Sequence, residues 1–252
     1  MNTFKPIALA LALTSSLFTV VSYAEPAKSV VIVHGAFADG SDWAKVVPLL
    51  QAEGVPVTVV QNPLTSLADD VAATQRVLNN QDGKVVLVGH SWGGSVISEA
   101  GDDPKVSALV YIAAFAPDAG QTAGEQGKGY PTPTGLAQLK TDRNGFIYLT
   151  PEGMATEFAQ DLPREQTAVM AATQGPIRAA AFDEKATTAA WKTKPSWYLL
   201  ATEDRMIHPE LQRASAKRIG ATLREVSASH VPQQSQPEEV ANIILEAVRV
   251  EN

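Results

Sequence analysis

The run Gly89-His90-Ser91-Trp92-Gly93-Gly94 follows a wholly apolar segment, residues 85–88, and leads into the helix-like stretch 93–100. No other feature limits the fold so strongly. A G-x-S-x-G turn with a buried strand before it and a helix after it must be very tight, and it holds its serine in a strained backbone conformation. Glycines are needed two residues to either side, where a Cβ would collide with the turn. The Ser91 hydroxyl is then presented at the carboxyl end of the strand, with the next helix N-terminus beneath it. Stripped of its flanks, the same motif would be an ordinary glycine-rich turn carrying an incidental serine.

The rest of the chain supplies a matching framework. Mostly apolar runs predict strands at 30–33, 55–60, 85–88, 109–112 and 197–200, and 223–226 is read as a sixth. Helical spacing predicts helices at 42–51, 66–80, 93–100, 209–219 and 237–250. Ser66 is placed to cap the second of these, and Pro209 opens the fourth at its first turn. Strands apolar on both faces and separated by helices imply a parallel sheet of six or more strands, covered on both sides, with right-handed crossovers. A length of 252 residues, 45% of them hydrophobic, suffices for one large domain. The rhythm breaks once, over about 117–195, where Gly120, Gly124, Gly127, Gly129, Pro131, Pro133 and Gly135 precede helical pieces at 152–160 and 164–173. That stretch is too long for a plain loop and is read as a cap inserted over the sheet.

Residues 1–24 read as an export signal. Lys5 gives a positive start, residues 7–21 form an apolar run, and Ser22-Tyr23-Ala24 offers small residues where a signal peptidase reads. A run of about 15 residues falls short of the roughly 20 needed to span a bilayer as a helix. The mature domain, 25–252, is therefore expected in the periplasm or outside the cell, without stable membrane insertion. The leader holds one lysine and no acid, so its removal takes the net charge from −7 to −8. An acidic chain with scattered basic residues disfavours nucleic acid as a partner. The absence of cysteine excludes disulfides, thiolate metal sites and a cysteine nucleophile. Phosphate-cradling, dinucleotide and zinc motifs are absent too, so no cofactor or metal is expected.

A serine nucleophile needs a base, and the base needs an orienting carboxylate. Of His34, His90, His208 and His230, only the last lies just past the final strand and before the closing helix. That is the place of the base when the order along the chain is serine, acid, histidine. The acid should follow the strand at 197–200, where Glu203 and Asp204 are adjacent. Asp204 is favoured by the loop shape, and Asp118, after the fourth strand, is the less common location. The oxyanion of an acyl-transfer intermediate requires preorganised N–H donors, each typically contributing about 2.7–4 kcal/mol. The backbone N–H of Trp92 is one. The other is expected from the loop after the first strand, at Ala36, with Phe37 as second choice.

Together with Val33-His34-Gly35-Ala36, Ala116-Pro117-Asp118-Ala119-Gly120, Glu203-Asp204-Arg205 and Ser229-His230-Val231-Pro232, the serine motif resembles the small α/β-hydrolases. The likeness is closest to the branch that holds EstC-type bacterial esterases, plant methyl-salicylate-type esterases and hydroxynitrile lyases. It implies an α/β-hydrolase fold, a Ser91–Asp204–His230 triad and oxyanion donors at Ala36 and Trp92. The lyases of that branch carry a threonine at the position of Gly35 and a lysine at that of Val231. An apolar Val231 cannot receive cyanide, so the resemblance implies ester hydrolysis, and a pocket expected between the sheet and an apolar cap suits a small or medium apolar ester. Carbon–carbon hydrolase, lactonase or haloperoxidase chemistry, and non-catalytic binding of a small molecule, share the same motifs.

Overall fold

The computed structural model describes Met1 and residues 28–250; beyond Met1, the expected leader lies outside the described residues. Strand β1 (Ser29–Val33) leads through a short 3₁₀ turn at Gly40–Trp43 to α1 (Val47–Ala52), β2 (Val57–Val60) and α2 (Leu67–Asn79). Strand β3 (Val85–His90), α3 (Gly93–Ala100) and β4 (Val106–Ile112) follow. The stretch expected as a cap then holds α4 (Ala123–Gln126), β5 (Leu139–Thr141), β6 (Phe146–Leu149), α5 (Pro151–Gly153), α6 (Arg164–Thr173) and β7 (Ile177–Arg178). The chain returns through β8 (Ser196–Ala201), α7 (Pro209–Arg218) and β9 (Thr222–Val226), and closes with α8 (Pro232–Ser235) and α9 (Pro237–Arg249).

Six strands form one parallel sheet in the order β2-β1-β3-β4-β8-β9. Alternate residues serve opposite faces, as the two-residue period of a strand requires. Val31, Val33, Leu87, Leu109, Tyr111 and Leu200 pack under α2, α3 and α7. Val30, Ile32, Val88, Val110, Ile112 and Leu199 pack under Trp43, α1 and α9. Both faces of β1, β3, β4 and β8 are buried, which is why these strands read as apolar runs, whereas the edge strand β9 is largely exposed. The order reverses between β1 and β3, since the chain moves outward from β1 to β2 and then returns to lay β3 on the other side. Crevices at the carboxyl ends of strands flanking such a reversal are where open α/β sheets bind ligands.

The structure corrects the sequence reading in two places. The helix predicted over 42–51 is split into the 3₁₀ turn and α1. Pro48 lacks an N–H and its ring would clash with the carbonyl of Ala44, so a helix can only restart with the proline in its first turn. Within the cap, β5, β6 and β7 form an unanticipated three-stranded antiparallel sheet. The helical piece predicted at 152–160 is one α turn running into a π-helical segment, Met154–Phe158.

Candidate active site

The turn after β3 is as tight as its glycines imply. Ser91 has φ +52°, in the left-handed region that serine rarely adopts. A Cβ on Gly89 would lie 2.6 Å from the carbonyl oxygen of Gly93, and one on Gly93 would lie 2.4 Å from that of Val33. Only glycine allows β3, the turn and β1 to approach so closely. The strained serine is held on both sides: its N–H donates to the Ile112 carbonyl (3.1 Å) and its own carbonyl accepts from the Phe115 N–H (3.1 Å).

Loops after two other strands converge on Ser91. His230, just beyond β9, brings Nε2 to 2.8 Å from the Ser91 Oγ. Asp204, just beyond β8, brings Oδ2 to 2.7 Å from the His230 Nδ1. This is the geometry of a Ser-Asp-His triad. The carboxylate is saturated, because Oδ1 also accepts from the N–H groups of Met206 (2.7 Å) and Ile207 (3.0 Å), and Oδ2 from the Gln212 amide (2.7 Å). The other acids considered lie elsewhere. Glu203 is exposed and bonds to Ser227, and Asp118 pairs with Lys192.

Of the remaining histidines, His34 and His90 take structural places, whereas His208 both caps a helix and lines the cavity that holds Ser91. His34 is buried and accepts the Asn62 N–H at Nε2 (3.0 Å). His208 caps α7 by accepting the Glu210 N–H at Nδ1. His90 lies fully buried against the ring of His230, with centroids 4.9 Å apart, and its Nε2 donates to the His230 carbonyl (2.8 Å). Burial, with the His230 charge second, drives the His90 pKa well below the usual imidazole value. A neutral His90 can therefore support His230 without repelling a proton on it. Phe158 meets the other side of the His230 ring edge-on, at 5.0 Å.

On the oxyanion side, Ala36 lines the same cavity as Ser91. The Phe37 N–H is committed to the Gly175 carbonyl (3.1 Å), which removes the second-choice donor. Trp92 precedes the first turn of α3, where N–H groups have no intrahelical acceptor. Gly35 is packed so closely that a Cβ would lie 2.8 Å from the Ser91 Cβ. A side chain there would have to displace the serine itself.

The cavity above Ser91 and His230 measures about 330 Å³. Phe37, Phe115, Leu139, Ile147, Phe182 and Met206 give it an apolar wall, and among the described residues no acidic residue, lysine or arginine lines it. Leu139 and Ile147 come from the small cap sheet. Of the cap aromatics, Tyr130 and Phe182 reach the cavity. Phe158 instead packs on His230 and Phe37, and Trp191 is anchored by its indole N–H to the Pro117 carbonyl.

Sequence reasoning overlooked five buried polar residues around this site. Gln212 ties Asp204 to the Ile207 carbonyl and to the Ala201 N–H. Gln233 and Gln234 both donate to Asp42, whose carboxyl is raised by burial. Asp70 accepts the indole N–H of Trp92 (2.7 Å). Each lies on an otherwise apolar or helical stretch, and a polar side chain on a buried helix face was the available signal.

A sequence profile described as the Alpha/beta hydrolase family matches residues 30–243. Salicylic acid-binding protein 2 of Nicotiana tabacum is 28% identical over 253 residues, covering 87% of this chain and 96% of the relative. A pyrethroid hydrolase of Sphingobium wenxiniae is 28% identical over 249 residues, covering 85% of each. The crystal structure of polyneuridine aldehyde esterase superposes with a TM-score of 0.75 at 24% identity, covering 87% of this chain and 98% of that one.

Proposed function

The chain belongs to the alpha/beta hydrolase family, and on that premise we propose that it is a serine esterase acting on uncharged, apolar esters of small or medium size. One observation carries the reading: the hydrogen-bonded series Ser91, His230, Asp204 opens, through Ser91 and His230, into a cavity that no acidic residue, lysine or arginine lines among the described residues. His230 takes the hydroxyl proton as the Ser91 oxygen attacks the ester carbonyl. Asp204 holds the imidazole with its proton on Nδ1, so that Nε2 is free to accept. The N–H groups of Ala36 and Trp92 receive the oxyanion. His230 then passes its proton to the departing alcohol. Water, deprotonated by the same nitrogen, releases the carboxylic acid and restores the serine.

The relatives support ester hydrolysis by their names, and the apolar wall supports the substrate class. A fluorophosphonate probe is expected to label Ser91 in equal proportion to the loss of turnover. In a panel of p-nitrophenyl esters, a hexanoate should be hydrolysed at least about tenfold faster than an equally long acyl chain ending in a carboxylate. Burying that second charge in an apolar pocket is costly. Equal rates for the two esters, or a protein that binds the probe's parent ester without multiple turnovers, would sink this reading.

We further propose that residues 1–24 direct export and are removed. Lys5, the apolar run at 7–21 and Ser22-Tyr23-Ala24 support this. The intact mass of protein recovered from the periplasm or medium of a bacterial host should correspond to a chain beginning at Glu25. A mass retaining residues 1–24 in that fraction would contradict cleavage.

A further inference from the structure

We infer that Asp70 is a positioning residue for the oxyanion hole, holding the Trp92 arm with one carboxylate oxygen and the loop behind the Ala36 arm with the other. The inference rests on the esterase reading, because it needs Ala36 and Trp92 as oxyanion donors.

Asp70 lies on the inner face of α2 and has no exposed surface. Its Oδ2 accepts the Trp92 indole N–H at 2.7 Å, and its Oδ1 accepts the Leu64 backbone N–H at 2.8 Å. The first bond acts directly. Trp92 provides the backbone N–H beside the nucleophile, and its ring is also pressed against Phe182 at 5.0 Å between centroids. Turning that peptide would require the indole to swing out of both contacts.

The second bond acts through a short series of contacts. Leu64 has φ +58°, a conformation that leucine avoids, and its N–H is pinned by Asp70. The Leu64 carbonyl accepts from the Arg178 N–H (2.9 Å). Its side chain lies so close to Gly175 that a Cβ there would sit 2.8 Å from the Leu64 Cδ1. The Gly175 carbonyl in turn accepts the N–H of Phe37, the residue after Ala36. One buried carboxylate thus touches the Trp92 half of the hole directly and reaches the Ala36 half through Leu64 and Gly175.

The arrangement is costly. Burial pushes the Asp70 carboxyl up to about 6, against the pull of its bonds from Trp92 and Leu64. Among the described residues no lysine, arginine or histidine pairs with it. Both of its partners are donors, so the site calls for a group that only accepts, which is what an ionised carboxylate supplies.

Asp70→Asn retains the shape but offers one acceptor to two donors. Trp92→Phe removes the same bond from the other side, keeping a ring and the backbone N–H. Each variant is expected to lower kcat about 10–100-fold, somewhat less than deletion of an oxyanion donor, while KM changes less than about twofold. Binding of an aryl trifluoromethyl ketone, which forms a charged tetrahedral adduct on Ser91, should weaken by the same factor. Binding of the unreactive aryl methyl ketone should not change. The double variant should be no worse than the poorer single one, as expected for two ends of one bond. Should Asp70→Asn fail to fold by circular dichroism, Trp92→Phe carries the test. Parental affinity for the trifluoromethyl ketone in folded Trp92→Phe, or a parallel loss for both ketones, overturns the role of Asp70. Failure of the parent protein to form the adduct at all, read by fluorine NMR, overturns the esterase reading instead.

Discussion

A Ser91→Ala variant will fold as the parent does and hydrolyse p-nitrophenyl acetate about 10⁶-fold more slowly, down to the residual rate that binding and the oxyanion donors sustain. The change removes one oxygen from a site already 7% exposed, so little packing is lost. Alanine carries the same Cβ as serine, so the φ of +52° is no more strained after the substitution. What disappears is the atom 2.8 Å from the His230 Nε2. Circular dichroism and thermal melting should match the parent, and only turnover should collapse. A variant that retains parental turnover would place the nucleophile elsewhere.

Asp204→Asn should cost about 10⁴-fold in kcat by a different route. The carboxylate accepts four hydrogen bonds and faces no acceptor, so its capacity is filled. An amide brings one acceptor oxygen and one donor NH₂ into a ring of four donors. If the NH₂ faces His230, Nδ1 must accept and the ring proton moves to Nε2, which can then no longer take the proton of Ser91. If it faces Met206 and Ile207, two backbone donors lose their acceptor at a cost of about 1–3 kcal/mol each. Activity should therefore fall in either orientation, and stability measured by urea unfolding should fall most in the second. Glu203→Gln, at the neighbouring exposed carboxylate, should leave turnover within about twofold, as surface changes generally do. The reverse pattern, with Glu203→Gln inactive and Asp204→Asn unaffected, would reassign the acid.

Much of this was legible in the sequence because the parallel sheet writes its strands as apolar runs. Val30 to Val33 and Val85 to Val88 could hardly be anything else. The glycine spacing around Ser91 announced the turn, and the order serine, acid, histidine then singled out His230 among four candidates. Asp204 was favoured over Glu203 only by loop shape, since two adjacent carboxylates have the same chemistry until the backbone aims one of them inward. The cap sheet was missed because strands of three, four and two residues are too short to show a period. Its hairpin did leave a trace in Asp142-Arg143-Asn144-Gly145, where the Asp142 carboxylate accepts from Asn144 and Phe146 and Gly145 takes φ +83°. Asp70 was hidden by its stripe. It sits among Leu67, Val71, Thr74 and Leu78 on the buried side of α2, and an acid on an apolar face looks like noise until its partners are known.

β4 and β8 are neighbours in the sheet, paired from Leu109 with Ser196 to Ile112 with Leu199. Everything between them leaves the scaffold and returns to it through adjacent doors. A segment anchored in this way can lengthen, shorten or be traded for another without disturbing the register of a single strand. Leu139 and Ile147 can thus be redecorated at little cost to the sheet, whereas Gly175 on the Phe37 N–H, Phe182 on Trp92 and Phe158 on His230 are the points at which the same segment stays tied to the floor it covers.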